Sequence, residues 1–173
     1  MPEPWLRGTL SEVDAIQRQV LHALVLVEED ARRWCSGMSD AEMNARPCGV
    51  APVAFHLRHI ARSLDRLLTY AEGSALTAAQ LSALAEELAP GAKAADVLTE
   101  LERGVALAKQ RIGRIDSSMF GQVRTVGRQH LPTTVGGLLV HCAEHSQRHI
   151  GQAITTTQIV VGGQPMAVDP HTV

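Results

Sequence analysis

Aromatic side chains are few. Trp5, Trp34, Phe55, Tyr70 and Phe120 are the whole complement of a 173-residue chain. A platform for stacking nucleic-acid bases needs several such rings side by side, and this composition argues against one. Cysteine is almost as scarce: Cys35, Cys48 and Cys142 are odd in number and share no metal-like spacing. They read as reduced thiols in a reducing compartment, not as a disulfide framework. Neither sign of charge dominates, since 16 basic residues face 18 acidic ones for a net charge of −2. Without a basic stripe or charge block, neither nucleic acid nor an anionic membrane is indicated as a partner. No apolar run reaches the roughly 18 residues of a membrane span. The opening Met1-Pro2-Glu3-Pro4-Trp5 also lacks the basic and apolar blocks of a signal peptide. The expected location is the cytoplasm.

What is present is helical. The chain is 45% hydrophobic, enough for a real core, and Val and Ile are interspersed with the strong helix formers Ala, Leu, Gln, Glu and Arg. Its length suits one domain, with a core over about 10–160 and a tail over 161–173. Near the start, Trp5 and Leu6 are expected to dock a short arm on the body. Thr9-Leu10-Ser11-Glu12 has capping-box spacing. Val13, Ile16, Val20, Leu21, Leu24, Val27 and Ala31 then recur at helical steps, predicting a first long helix over about 10–36. Ser39-Asp40-Ala41-Glu42 is a second capping box, opening a short turn that Pro47 and Gly49 end.

A second long helix is predicted from Ala51-Pro52 to Tyr70, and Val53, Leu57, Ile60, Leu64, Leu67 and Leu68 form its core stripe. Thr77-Ala78-Ala79-Gln80 caps a shorter helix over 77–89, stopped by Pro90-Gly91. The third long helix spans 94–115. Residues 117–131 show the least regular pattern, and the last long helix runs over 134–160. The expected fold is all-α: a four-helix bundle with an additional short helix between the second and third long helices.

Chemistry gathers on the last helix. His141, His145 and His149 stand four residues apart. Each step advances about 400° around a helix, so the rings share one face with roughly 40° of drift per turn. Two imidazoles at that spacing can bite one metal ion. The bland alternative is three histidines in register by chance, but stacked neutral imidazoles would each need a polar partner inside a bundle. On the second helix His56 and His59 edge the buried stripe, His56 nearer its centre and His59 nearer its rim. Either can supply a third ligand, and periodicity does not choose between them. Leu138 and Gln152 share the ligand face. Cys142 and Glu144 lie about 100° off it, Arg148 sits on its rim, and His22 and His130 have no helical partner at ligand spacing.

The pairing of Phe55-His56-Leu57-Arg58-His59-Ile60-Ala61 with His141-Cys142-Ala143-Glu144-His145-Ser146-Gln147-Arg148-His149-Ile150-Gly151-Gln152 resembles the DinB-like (DinB/YfiT) metalloenzymes. The terminal His-x-x-x-His-x-Gly-Gln and the His-Ile-Ala of the second helix carry the likeness, which extends over about residues 10–160. The resemblance implies a four-helix bundle, commonly dimeric, with a three-histidine site often filled by zinc or nickel. Its pattern falls on His59, His145 and His149, with His56 and His141 as extra histidines that could substitute or stand behind. Several relatives use a low-molecular-weight thiol such as bacillithiol, mycothiol or glutathione, as S-transferases or isomerases.

The leading expectation is therefore a metal-dependent enzyme in a homodimer, acting on a small molecule. A thiol-dependent transfer is favoured over a hydrolysis. Three neutral imidazoles would leave the ion its full charge to ionise a thiol or a water near neutral pH. The alternatives are a non-catalytic metal-binding or stress-related helical module, and a metal-free bundle whose histidines belong to a dimer interface. No general base is named by the pattern.

Overall fold

The computed structural model describes residues 1–162. The expectation for the rest of the tail lies outside the described residues. Six α-helices and one small hairpin follow in chain order: α1 (Ala15–Cys35), α2 (Asp40–Asn44), α3 (Val53–Ala71), α4 (Ala78–Ala85), α5 (Ala94–Gly113), β1 (Val123–Val126), β2 (Leu131–Thr134) and α6 (Val135–Val161). The chain is mostly helical, as its periodicity predicts.

Packing follows the apolar stripes. The four long helices contact one another in a ring: α3 lies against α5 and α6, and α1 lies against the same two. Leu24 of α1, Leu57, Ile60, Leu64 and Leu68 of α3, Leu101 and Ile112 of α5, and Leu139 and Ile150 of α6 meet at its centre, all essentially buried. Burying each such side chain stabilises the fold by roughly 1.5–3 kcal/mol before entropy is counted. One buried polar group of this core serves a helix end. Gln17 of α1 donates through Nε2 to the carbonyls of Ile112 (2.6 Å) and Ile115 (2.7 Å), near the C-terminus of α5 where carbonyls lack intrahelical partners.

Local signals decide several boundaries. Ser39 and Thr77 both form complete capping boxes, with Glu42 and Gln80 answering three residues on. The Thr9 box does not form. Leu10 takes a left-handed conformation (φ 59°), and α1 instead starts after Asp14, whose carboxylate accepts from the Ile16 amide at 2.9 Å. The arm before it is also held differently from expectation. Trp5 and Leu6 are 53% and 56% exposed, while Pro4 is buried and Arg7 forks onto Glu29 at 2.6 and 2.8 Å.

The irregular stretch contains the main departure from an all-α fold. β1 and β2 pair antiparallel, Val123 opposite Thr134 and Val126 opposite Leu131. Pro132 lies opposite Thr125; a two-stranded ribbon tolerates it because each strand keeps a free edge. Gly127 (φ 72°) and His130 (φ 50°) bracket the connecting tip. The hairpin leans on the end of α3, where Arg124 donates through Nε to the Ala71 carbonyl at 2.9 Å.

Candidate metal centre

The facing sides of α3 and α6 place the histidines. His59 sits in α3 directly before the buried Ile60 and about one turn from the buried Ser63. His145 and His149 flank the buried Ser146 and Ile150 of α6. The apolar stripe of each helix faces the core, so residues at its edge are carried to the seam between the two helices. One donor nitrogen from each of His59, His145 and His149 falls within 4.8 Å of the others. Ring centroids are 4.9 Å apart for His59 and His145, 4.4 Å for His59 and His149, and 4.6 Å for His145 and His149.

The rings of His145 and His149 are neutral at physiological pH. Burial first, and the neighbouring His59 second, pull His145 and His149 down to about 4. A lone pair available on each ring is what a cation requires. The hydrogen bonds further settle which nitrogen points inward. His59 Nδ1 bonds Glu87 Oε2 at 2.6 Å, and its Nε2 meets His145 Nε2 at 2.8 Å. A carboxylate only accepts, so Nδ1 of His59 carries the proton and Nε2 is left for the centre. Phe55 stacks on the same ring, with centroids 5.2 Å apart and planes 20° from parallel.

Glu87 has no motif around it, and sequence reasoning missed it. It lies just past α4, only 4% exposed, and its second oxygen accepts from Arg66 at 2.7 Å. Burial pushes its carboxyl up, but the bonds from His59 and Arg66 outweigh that and hold it below its ordinary value. The short helix exists to deliver this group. Gln80 bonds Asp65 and Thr69 of α3 at 2.7 and 2.8 Å, and Arg62 donates to the Ala83 carbonyl, so α4 is strapped along α3. The nearest available signal was the Glu86-Glu87 pair before the Pro90-Gly91 stop, which no spacing rule distinguishes from solvated carboxylates.

His56 and His141 stand beside the cluster. His56 is 5% exposed, and burial brings its ring down to about 4. Its Nδ1 lies 3.0 Å from Nδ1 of His149, so the two share a proton. For His149 to offer Nε2 inward, its Nδ1–H must donate to His56. His141 shares the face of α6 but not the cluster: it is half exposed and reaches Glu144 at 3.4 Å. Glu144 also takes Arg148 at 2.6 Å on the surface. Leu138 is buried, whereas Gln152 is exposed and takes no part in the core. Cys142 is fully buried, and its thiol is pushed up to about 12 by that burial, which removes it as a ligand. His22 is buried away from the site with Nε2 3.1 Å from the Thr9 hydroxyl.

The cluster is reachable. A cleft of about 270 Å³ is lined by His59, His145, His141, Arg66 and Tyr70 among others. On the far side His56 lines a second cleft of about 610 Å³ together with Arg148 and Gln152. Three imidazoles, one of them oriented by a buried carboxylate, are a donor set that could hold a divalent cation. No helix among the described residues is long and apolar enough to cross a membrane.

The crystal structure of a conserved protein from Enterococcus faecalis is similar to this chain, with a TM-score of 0.72 and 22% sequence identity. The match covers 87% of this chain and 100% of that one, which is evidence of a shared fold. No curated protein matches the sequence. The family model of the DinB superfamily matches residues 23–153, a span that contains His56, His59, His141, His145, His149 and Glu87. The chain belongs to the DinB superfamily.

Proposed function

We propose that this chain is a divalent-metal enzyme of the thiol-transferase kind, with His59, His145 and His149 as the protein ligands. The observation that carries the reading is the convergence of three imidazole nitrogens within 4.8 Å, beside a cleft lined by His59 and His145. A structural ion is normally closed off by protein, whereas a catalytic one keeps a gap for substrate. All-imidazole ligation suits zinc or nickel. When bound, such an ion supplies Lewis acidity that lets a thiol or a water beside it ionise near neutral pH.

The remaining work falls to the chain itself. Glu87 and Arg66 hold the His59 ring, and His56 holds the ring of His149. His141 lines the same cleft as His59 and His145, half exposed and within reach of Glu144, which places it to take the proton a thiol gives up. Tyr70, Leu76 and Leu84 give the cleft apolar walls that exclude water from a bound guest. The four long helices form the four-helix bundle of the family, and a cytoplasmic homodimer belongs to the same reading.

A screen of thiol and electrophile pairs on zinc- or nickel-loaded protein tests this. Turnover by the wild type that falls at least ~100-fold in His149→Ala agrees with the reading. Equal turnover in both proteins would contradict it.

A further inference from the structure

The hairpin and the end of α3 enclose a cleft of about 550 Å³ that the metal chemistry does not use. It is not separate from the site. Tyr70 and Leu76 line both this cleft and the smaller one that opens on His59 and His145, so the two adjoin across these side chains. The larger cleft is lined by Arg124, Arg128 and His130, and no carboxylate among the described residues lines it.

Arg124 is fixed but not neutralised. Its three nitrogens donate to the carbonyls of Ala71 (2.9 Å) and Val123 (3.0 Å) and to the side-chain oxygen of Gln122 (3.1 Å), all uncharged acceptors. Arg7, Arg58, Arg62, Arg66, Arg111 and Arg148, by contrast, each have a carboxylate within ion-pair distance. Arg128 is exposed at the hairpin tip and has no carboxylate partner among the described residues. The cleft beside His56 differs, because its one arginine, Arg148, is already paired with Glu144. A guanidinium held in place with its charge unspent is suited to reading a planar anion.

We propose that the hairpin groove binds the carboxylate end of a small substrate whose other end lies between His59 and His145. This rests on the metal-site reading for the inner end only. The ligand class is then an anion-tailed thiol or thioether with an apolar middle, which passes Tyr70 and Leu76 on its way inward. Arg128 acts as a specificity residue, and Arg124 sets the wall it works from.

Two titrations of the full chain test the two ends separately. In the first, 6-(methylthio)hexanoate and its methyl ester are added to isotope-labelled protein, with and without zinc, and the amide resonances of Gly73, Thr125 and Gly127 are followed. Saturable shifts are expected with the acid and not with the ester, weakened roughly 2–5-fold in Arg128→Gln, the scale of one charged contact at an exposed site. Arg128 makes none of the hydrogen bonds that hold the hairpin to α3, so its variant remains informative if Arg124→Gln loosens the hairpin. Absent shifts, or equal ones for acid and ester, would overturn the proposal. In the second titration, 6-mercaptohexanoate and its ester are added to cobalt-loaded protein and the thiolate absorption band is read. The acid should saturate at lower concentration than the ester, and Arg128→Gln should erase the difference; equal saturation by acid and ester would overturn the link between groove and cluster. Amide shifts without any thiolate band would leave the groove standing and remove the metal reading instead.

Discussion

His59, Glu87 and Arg66 form a line in which each member fixes the next. The guanidinium holds the carboxylate, the carboxylate holds the Nδ1 proton, and Nε2 is left facing His145. Glu87→Gln keeps the shape but loses the negative charge that fixes the tautomer. Its affinity for zinc should fall about 10–100-fold, read by competition with a chromophoric chelator, because partners behind metal ligands typically carry that much. An unchanged affinity would show Glu87 to be a packing group. The depressed imidazoles make a second prediction at this scale, for metal-free protein. His56, His145 and His149 protonate near 4 when folded and near 6.5 when unfolded. Between those values the unfolded chain binds more protons, so stability is full above pH 6.5 and is lost as the pH falls toward 4. The loss should be on the order of 1 kcal/mol per histidine once solvent screening is allowed for, measured as a lower urea midpoint at pH 5 than at pH 7.5. His149→Gln should flatten that dependence.

At the scale of elements, the position of His59 depends on how closely α3 approaches α5. A Cβ built at Gly104 would lie 2.7 Å from the Cβ of Ala61 and 3.0 Å from its Cα, and Ala61 is two residues beyond His59. Gly104→Ala should therefore force the two helices apart at a cost of about 1–3 kcal/mol, despite the better helix propensity of alanine. A lowered urea midpoint with unchanged slope is the expected signature, and a stabilised variant would contradict the close packing. The elements themselves were legible where the signal is local. The Ser39 and Thr77 boxes and the apolar stripe of α3 depend on neighbours a few residues away, and all appear as read. Thr9 failed because Leu10 adopts a left-handed turn, and that turn competes with the box. The hairpin was not legible because its strands are four residues each and one contains Pro132, which counts against a strand in any pattern rule. Spacing put His141, His145 and His149 of α6 on one face, but it did not show that only His145 and His149 meet His59. Glu87 was not legible, since its role exists only once α4 is strapped along α3.

For the molecule as a whole, family membership and helical architecture agree, and the packing brings the second and last long helices together at one seam. The seam, more than any single residue, is the device: two amphipathic stripes bury their apolar sides and are left with facing edges that carry the donors. Periodicity put His56 and His59 on equal terms; the structure separates them, with His59 inside the triad and His56 bonded behind His149. That distinction is the account's central claim. Elemental analysis of purified His59→Ala, His145→Ala, His149→Ala and His56→Ala proteins, each reconstituted with zinc and freed of excess, tests it most directly. The account predicts stoichiometric zinc in the wild type, retained though more weakly held in His56→Ala, and none in the other three. Full zinc in His59→Ala, or its complete absence from His56→Ala alone, would contradict it.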